Sequence, residues 1–238
     1  MKRILISDKP LMDLTEKIIR LLYPPKCIFC GELLDIDTEL EICPKCFDKI
    51  PFMPEENYRS LKKFDYDSNW DDLVCACEYK GIIKEAIMRY KFFDKPSYCR
   101  AFGHLMLLKL SGVLKKYDFD MIVSVPLHRK KKALRGYNQS LLISREISRK
   151  TGIPEKSNLL CRVKNTKSQS TLTREGRYFN IRNAFLIKEK EEIKSKNILI
   201  FDDILTTGYT LNECSRVLKE AGAEKVVAAV IASPITTV

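Results

Sequence analysis

The sequence predicts an α/β fold built on a central parallel sheet, with a small four-cysteine module ahead of it. Three observations carry this. Short apolar runs at 73–79, 120–125, 198–201 and 225–231 read as strands buried on both faces, the pattern of a parallel sheet. Segments with apolar residues at helical spacing separate them, so strands and helices alternate. Two Cys-x-x-Cys pairs precede the first strand.

Residues 1–22 form an N-terminal helical segment, with Leu11, Leu14, Ile18 and Leu22 on one face, and Pro24-Pro25 stops it. Residues 23–50 form the cysteine module. Cys27 and Cys30 are separated by twelve residues from Cys43 and Cys46, a spacing that brings four thiolates to one structural Zn²⁺. A pair of redox dithiols is the competing use of the same residues. With little core of its own, so small a module would take most of its folding energy from the metal. The proline- and charge-rich stretch 51–72 reads as a linker, and 73–238 as the main domain.

Within that domain the strand at 73–79 leads to helices at 82–92 and 100–115, the latter entered through Asp94-Lys-Pro96. Strand 120–125 ends at Pro126-Leu127-His128. A third helix is expected over 135–150, stopped by Gly152-Ile-Pro154. Strand 198–201, a helix over 211–221 and strand 225–231 complete the order. Cys75, Cys77, Cys99, Cys161 and Cys214 are expected to act as small buried hydrophobes.

Leu11 to Leu22 is interrupted by charges and does not read as a signal peptide. No apolar run approaches the roughly 20 residues a membrane span needs, so membrane insertion is not expected and a cytoplasmic location is. The net charge of +11 is uneven: residues 1–60 carry 9 Lys/Arg against 11 Asp/Glu, and the remainder carries 33 against 20. A basic surface of that size favours phosphate-rich partners, nucleic acid first among them; it also fits a solvated, lysine-rich face.

The most informative segment follows the strand at 198–201. Asp202 and Asp203 end the strand, and Thr206-Thr-Gly-Tyr-Thr210 leads into the next helix. Helix-start amides and threonine hydroxyls accept a phosphate monoester. The adjacent carboxylates repel that phosphate and suit neutral hydroxyls or a divalent cation beside it. A sugar phosphate with a metal satisfies both halves. The segment resembles the PRPP-binding loop of type I phosphoribosyltransferases, which implies a fold of that type, Mg²⁺ as the ion that accompanies PRPP, and Asp202 and Asp203 as catalytic candidates. Thr206, Thr207, Gly208, Tyr209 and Thr210 then form the phosphate loop.

A second anion site is expected at the next strand end, where His128, Arg129 and Arg135 join a cationic segment with Lys130, Lys131 and Lys132. The stretch 162–182 lacks a core pattern and reads as an arm over an anionic ligand or as a surface loop. Its cations Arg162, Lys167, Arg174 and Arg177 are candidates for DNA or other anions. Lys91, after Met88-Arg-Tyr90, adds one more basic residue. Tyr137, Tyr178 and Phe179 are candidates for base stacking, with buried core as the alternative for each.

The order of these motifs covers nearly the whole chain from Tyr23. After the Cys-x-x-Cys pairs come Tyr79-Lys-Gly81, Arg89-Tyr-Lys-Phe92, Val125-Pro-Leu-His128 and Arg135-Gly-Tyr-Asn-Gln139. Thr166-Lys-Ser-Gln169, Arg177-Tyr-Phe-Asn180 and the Asp-Asp/Thr-Thr-Gly loop follow. This order resembles the ComF family of competence proteins. The family pattern has Val and Ala where Ile204 and Tyr209 stand here. The resemblance implies handling of single-stranded DNA in natural transformation and binding of PRPP or a related phosphate, with competence helicase or recombination mediator proteins as candidate partners. An active Mg²⁺-dependent phosphoribosyltransferase with an unknown acceptor is the alternative.

Overall fold

The computed structural model describes residues 14–54, 68–164 and 181–234. Its centre is a four-stranded, all-parallel sheet of β1 (Asp72–Glu78), β2 (Met121–Ser124), β5 (Asn197–Ile204) and β6 (Lys225–Ser233), in the order β1-β6-β5-β2. Eight of the nine β6 residues are buried, as expected of a strand covered on both faces. Each Val or Ile sealed in this way contributes about 1.5–3 kcal/mol.

Strand periodicity divides the core in two. Val74, Ala76, Leu199, Phe201, Val227 and Ala229 meet helices α3 (Gly81–Phe92), α4 (Cys99–Lys116) and α6 (Gln139–Thr151) on one face. Leu73, Cys75, Ile198, Ile200, Val226 and Ala228 meet α7 (Tyr209–Glu220) and Trp70 on the other.

The helix expected over 135–150 starts later, as α6 at Gln139, and a separate short helix, α5 (Arg129–Arg135), precedes it. Gly136, at φ +77°, breaks the path, and the Asn138 side chain caps α6 by accepting the Ser140 amide at 3.2 Å. Asn138 also donates to the Val125 carbonyl, fixing the start of α6 against the end of β2. The Arg129–Arg135 segment buries none of its residues, so no apolar periodicity marks α5 in the sequence.

The stretch 162–182, read as lacking a core pattern, is bounded by a two-stranded antiparallel pair that periodicity did not reveal. Its strands are β3 (Leu160–Arg162) and β4 (Phe185–Ile187), and Ile181, Ala184 and Phe185 are buried. Three-residue strands are too short to show a period. Lys167, Arg174, Arg177, Tyr178, Phe179 and the motif at 166–169 lie outside the described residues.

Both ends of the 51–72 stretch join the core. Met53 donates its amide to Ala76, Glu78 donates to Pro51, and Phe52 bridges Cys77, so this segment covers the outer edge of β1. Met53 and Trp70 are buried. The cysteine module is continuous with the main core too: Ile28, Phe29, Ile42 and Ile50 pack in one cluster with Val74, Ile83 and Tyr90. Helix α1 (Leu14–Leu22) is held to the module by Arg20, which donates to the Ile36 and Thr38 carbonyls. Within the module, Pro44–Phe47 forms the one-turn helix α2. Cys75, Cys77 and Cys214 are buried, while Cys99 and Cys161 are partly exposed. Among the described residues no helix is long and apolar enough to cross a membrane.

Candidate functional site

The carboxyl ends of β2 and β5 lie side by side, with the Val125 amide donating to the Phe201 carbonyl as the last rung between them. Asp202 and Asp203 stand just beyond that rung, where clefts form in open parallel sheets. They are held differently. Asp203 accepts from Lys91 Nζ at 2.9 Å, and both side chains are largely buried. Asp202 accepts from the Ser140 hydroxyl at 3.0 Å and from the Asp203 amide at 2.9 Å. Burial, and after it the charge of Asp203, pushes the Asp202 carboxyl up to about 7, against the opposing pull of Lys91.

On one side the carboxylates face the start of α7. Lys91, Asp202, Asp203, Thr206, Gly208 and Thr210 line a pocket there. Gly208 caps the helix at φ +74°, a left-handed conformation that favours glycine. The first intrahelical donor is the Asn212 amide, to the Gly208 carbonyl, so the amides between them have no acceptor within the helix. Thr207 and Tyr209 do not line this pocket, and Tyr209 packs against the core beneath α7.

On the other side the same carboxylates face cations. A second pocket sharing Lys91, Asp202, Asp203 and Thr210 is lined by Lys131, Arg135, Gln139, Ser140 and Arg162. Burial holds the Lys131 amine below its ordinary range, and the charges of Arg162 and Arg135 depress it further. Burial likewise lowers the Arg162 guanidinium. Cations that raise one another's cost are relieved by an anion placed between them. Gln139 is buried, accepts from Arg135 at 3.3 Å, and its amide nitrogen meets no acceptor among the described residues.

The residues expected to form a second anion site are thus divided between the cleft and the surface. His128 is the N-cap of α5, its Nδ1 accepting the Lys130 amide at 3.3 Å. Arg129, Lys130 and Lys132 are exposed on α5 and line neither pocket. Lys131, Arg135 and Arg162 turn into the cleft. Ser140 and Lys91 each lie in or beside a sequence motif, and only the fold shows that they meet Asp202 and Asp203. Tyr137 belongs to the packing: its hydroxyl donates to the Tyr90 carbonyl and its ring lies 5.7 Å from that of Tyr90.

In the module, the sulfurs of Cys27, Cys30, Cys43 and Cys46 all lie within 4.8 Å of one another. Cys30 and Cys43 are 3.7 Å apart at Sγ, matching the edge of about 3.8 Å for a tetrahedron with Zn–S bonds of about 2.3 Å. Burial raises the Cys27 thiol, but amides of Cys30, Cys43 and Phe29 outweigh it and bring it down to about 7. Cys43 and Cys46 are pushed up, first by burial, a cost that a dication at the centre reverses. Four thiolates fill a tetrahedral shell, so a zinc here is structural. The first knuckle is tied to the main domain by Arg89, which donates to the Ile28 and Phe29 carbonyls at 3.0 and 3.1 Å.

Comparison with known proteins agrees with both halves. Residues 139–237 match the family model of the phosphoribosyl transferase domain, and residues 18–58 match that of the double zinc ribbon domain. The chain is 31% identical over 188 residues to competence protein F of Haemophilus influenzae, covering 77% of this chain and 81% of that one. It is 29% identical over 203 residues to the DNA utilization protein YhgH of Escherichia coli, covering 84% and 86%. Similarity to competence protein ComFC of Streptococcus pneumoniae is 29% over 224 residues, covering 84% and 96%. The fold is that of a phosphoribosyltransferase domain with an N-terminal zinc ribbon.

Proposed function

The chain belongs to the ComF family of competence proteins, and from that premise we propose that it handles incoming single-stranded DNA while binding PRPP, or a related phosphate monoester, with Mg²⁺ in the cleft between Asp202 and Thr210. One observation supports this above the others: the carboxylate pair stands between two anion-seeking walls. The start of α7 suits the 5′-phosphate, through backbone amides with Thr206 and Thr210. Lys131, Arg135 and Arg162, crowded against one another, suit a pyrophosphate. Asp202 and Asp203 would take ribose hydroxyls or hold the Mg²⁺ that accompanies PRPP. The ion's contribution when bound would be to neutralise phosphate oxygens.

The same arrangement supports a second reading, transfer of ribose 5-phosphate to an acceptor. Lys91, Lys131, Arg135 and Arg162 would then stabilise charge on the departing pyrophosphate, while the carboxylates face the ribose. Pyrophosphate release from PRPP in the presence of candidate acceptors distinguishes turnover from binding alone.

The binding test is calorimetric titration of PRPP with Mg²⁺ into wild type and into the Asp202→Asn, Asp203→Asn double variant, with circular dichroism as a folding control. The variant should bind about ten- to a hundredfold more weakly, the loss of two charged contacts. Equal affinity, or no heat with wild type, would mean that the loop keeps its shape without this ligand.

A further inference from the structure

Helix α3 ends in two adjacent phenylalanines left in solvent. Phe92 is 58% and Phe93 66% exposed, whereas Tyr90 on the same helix is completely buried. An exposed apolar residue is ordinary when single, but an exposed pair beside a functional cleft calls for a partner. What surrounds them narrows its chemistry. Lys91, immediately before the pair, reaches into the cleft to Asp203. The Arg135 guanidinium lies over the Phe92 ring, 5.3 Å from its centroid. Arg135 is the last residue of α5, whose seven residues carry five cations and no acid, with Arg129, Lys130 and Lys132 exposed.

Aromatic faces beside cations that meet no carboxylate among the described residues are what single-stranded nucleic acid needs: every base offers a π-face, and the phosphates between bases seek the cations. An acidic peptide would use the cations and leave the rings idle. A duplex keeps its base faces stacked internally and would likewise meet only the cations. We infer that Phe92 and Phe93 form a stacking platform for unpaired bases, with Arg129, Lys130 and Lys132 of α5 taking the adjoining phosphates. The inference rests on the DNA-handling reading and gives that role a surface, at the rim of the cleft. It also moves base stacking away from Tyr137, whose ring and hydroxyl are engaged by Tyr90.

Fluorescence anisotropy with a labelled thymidylate oligomer of about 20 nucleotides, alone and annealed to its complement, tests this on the full chain. Phe92→Ala with Phe93→Ala should weaken single-strand binding about ten- to a hundredfold and leave duplex binding unchanged, so the preference for single strands collapses. Phe92→Tyr with Phe93→Tyr, which keeps both rings, should retain it. Lys130→Ala with Lys132→Ala should weaken both forms and flatten the salt dependence. Wild-type affinity in the double Ala variant would overturn the platform while leaving the DNA reading standing. Failure of wild type to bind the oligomer at all would remove both.

Discussion

The cysteine module and the carboxylate cleft each concentrate negative charge at one point, and they hold it by different means. In the module, backbone amides of Cys30, Cys43 and Phe29 stabilise Cys27, and the remaining cost is left for a metal. In the cleft, side chains from distant segments do the work: Lys91 of α3, Ser140 of α6 and Arg162 of β3 converge on two adjacent residues of β5. The module's geometry therefore depends on an ion, whereas the cleft's depends on the fold. A site held by the fold keeps its charged groups positioned in advance, the preorganisation on which binding and electrostatic stabilisation draw.

The largest way to break this comparison is to remove the ion. Cys43→Ser with Cys46→Ser should reduce zinc from one per chain to none by metal analysis. Because Ile28, Phe29, Ile42 and Ile50 share the core of α3, the loss should extend beyond the module. Thermal unfolding should fall by about 10 °C, corresponding to several kcal/mol in a domain of this size. An unchanged midpoint would show that the module contributes nothing to the main core.

A smaller change probes the joint between the two regions. Arg89 grips the first knuckle, and Lys91, two residues on, grips Asp203. Arg89→Met keeps the apolar stem and removes both charge-assisted bonds, which should cost about 2 kcal/mol. Zinc should also pass faster to a competing chelator. If chelator kinetics match wild type, Arg89 only packs against the knuckle and does not brace it.

The third test is confined to Asp202, and its sign is diagnostic. Burial first, and Asp203 second, raise its carboxyl to about 7 in the folded chain, against an ordinary value of 3.8. Between those values only the folded state holds the proton, so this group's contribution declines as pH rises through the window and is lost above it. Asp202→Asn abolishes that titration. It should be more stable than wild type near pH 8, with the gap closing near pH 4, in denaturant titrations at both. A gap independent of pH would mean that Asp202 is ionised throughout, held by Ser140 and Lys91 more firmly than its burial opposes.

The sequence by itself determined what is local. Cys-x-x-Cys spacing, the carboxylates after an apolar strand and the Thr-Thr-Gly loop ahead of a helix all lie within a few residues, where backbone geometry dictates what neighbouring side chains can do. Alternation of strands and helices likewise announced the parallel sheet. Tertiary structure decided the rest: Lys91 meets Asp203 across 112 residues, and Arg89 meets Ile28 across 61. It also separated Lys131 and Arg135, turned into the cleft, from Arg129, Lys130 and Lys132, left in solvent, although all five are consecutive or nearly so. No periodicity records such pairings, because they follow from the strand order β1-β6-β5-β2 and from where Gly136 separates α5 from α6, and those are settled only when the whole core closes.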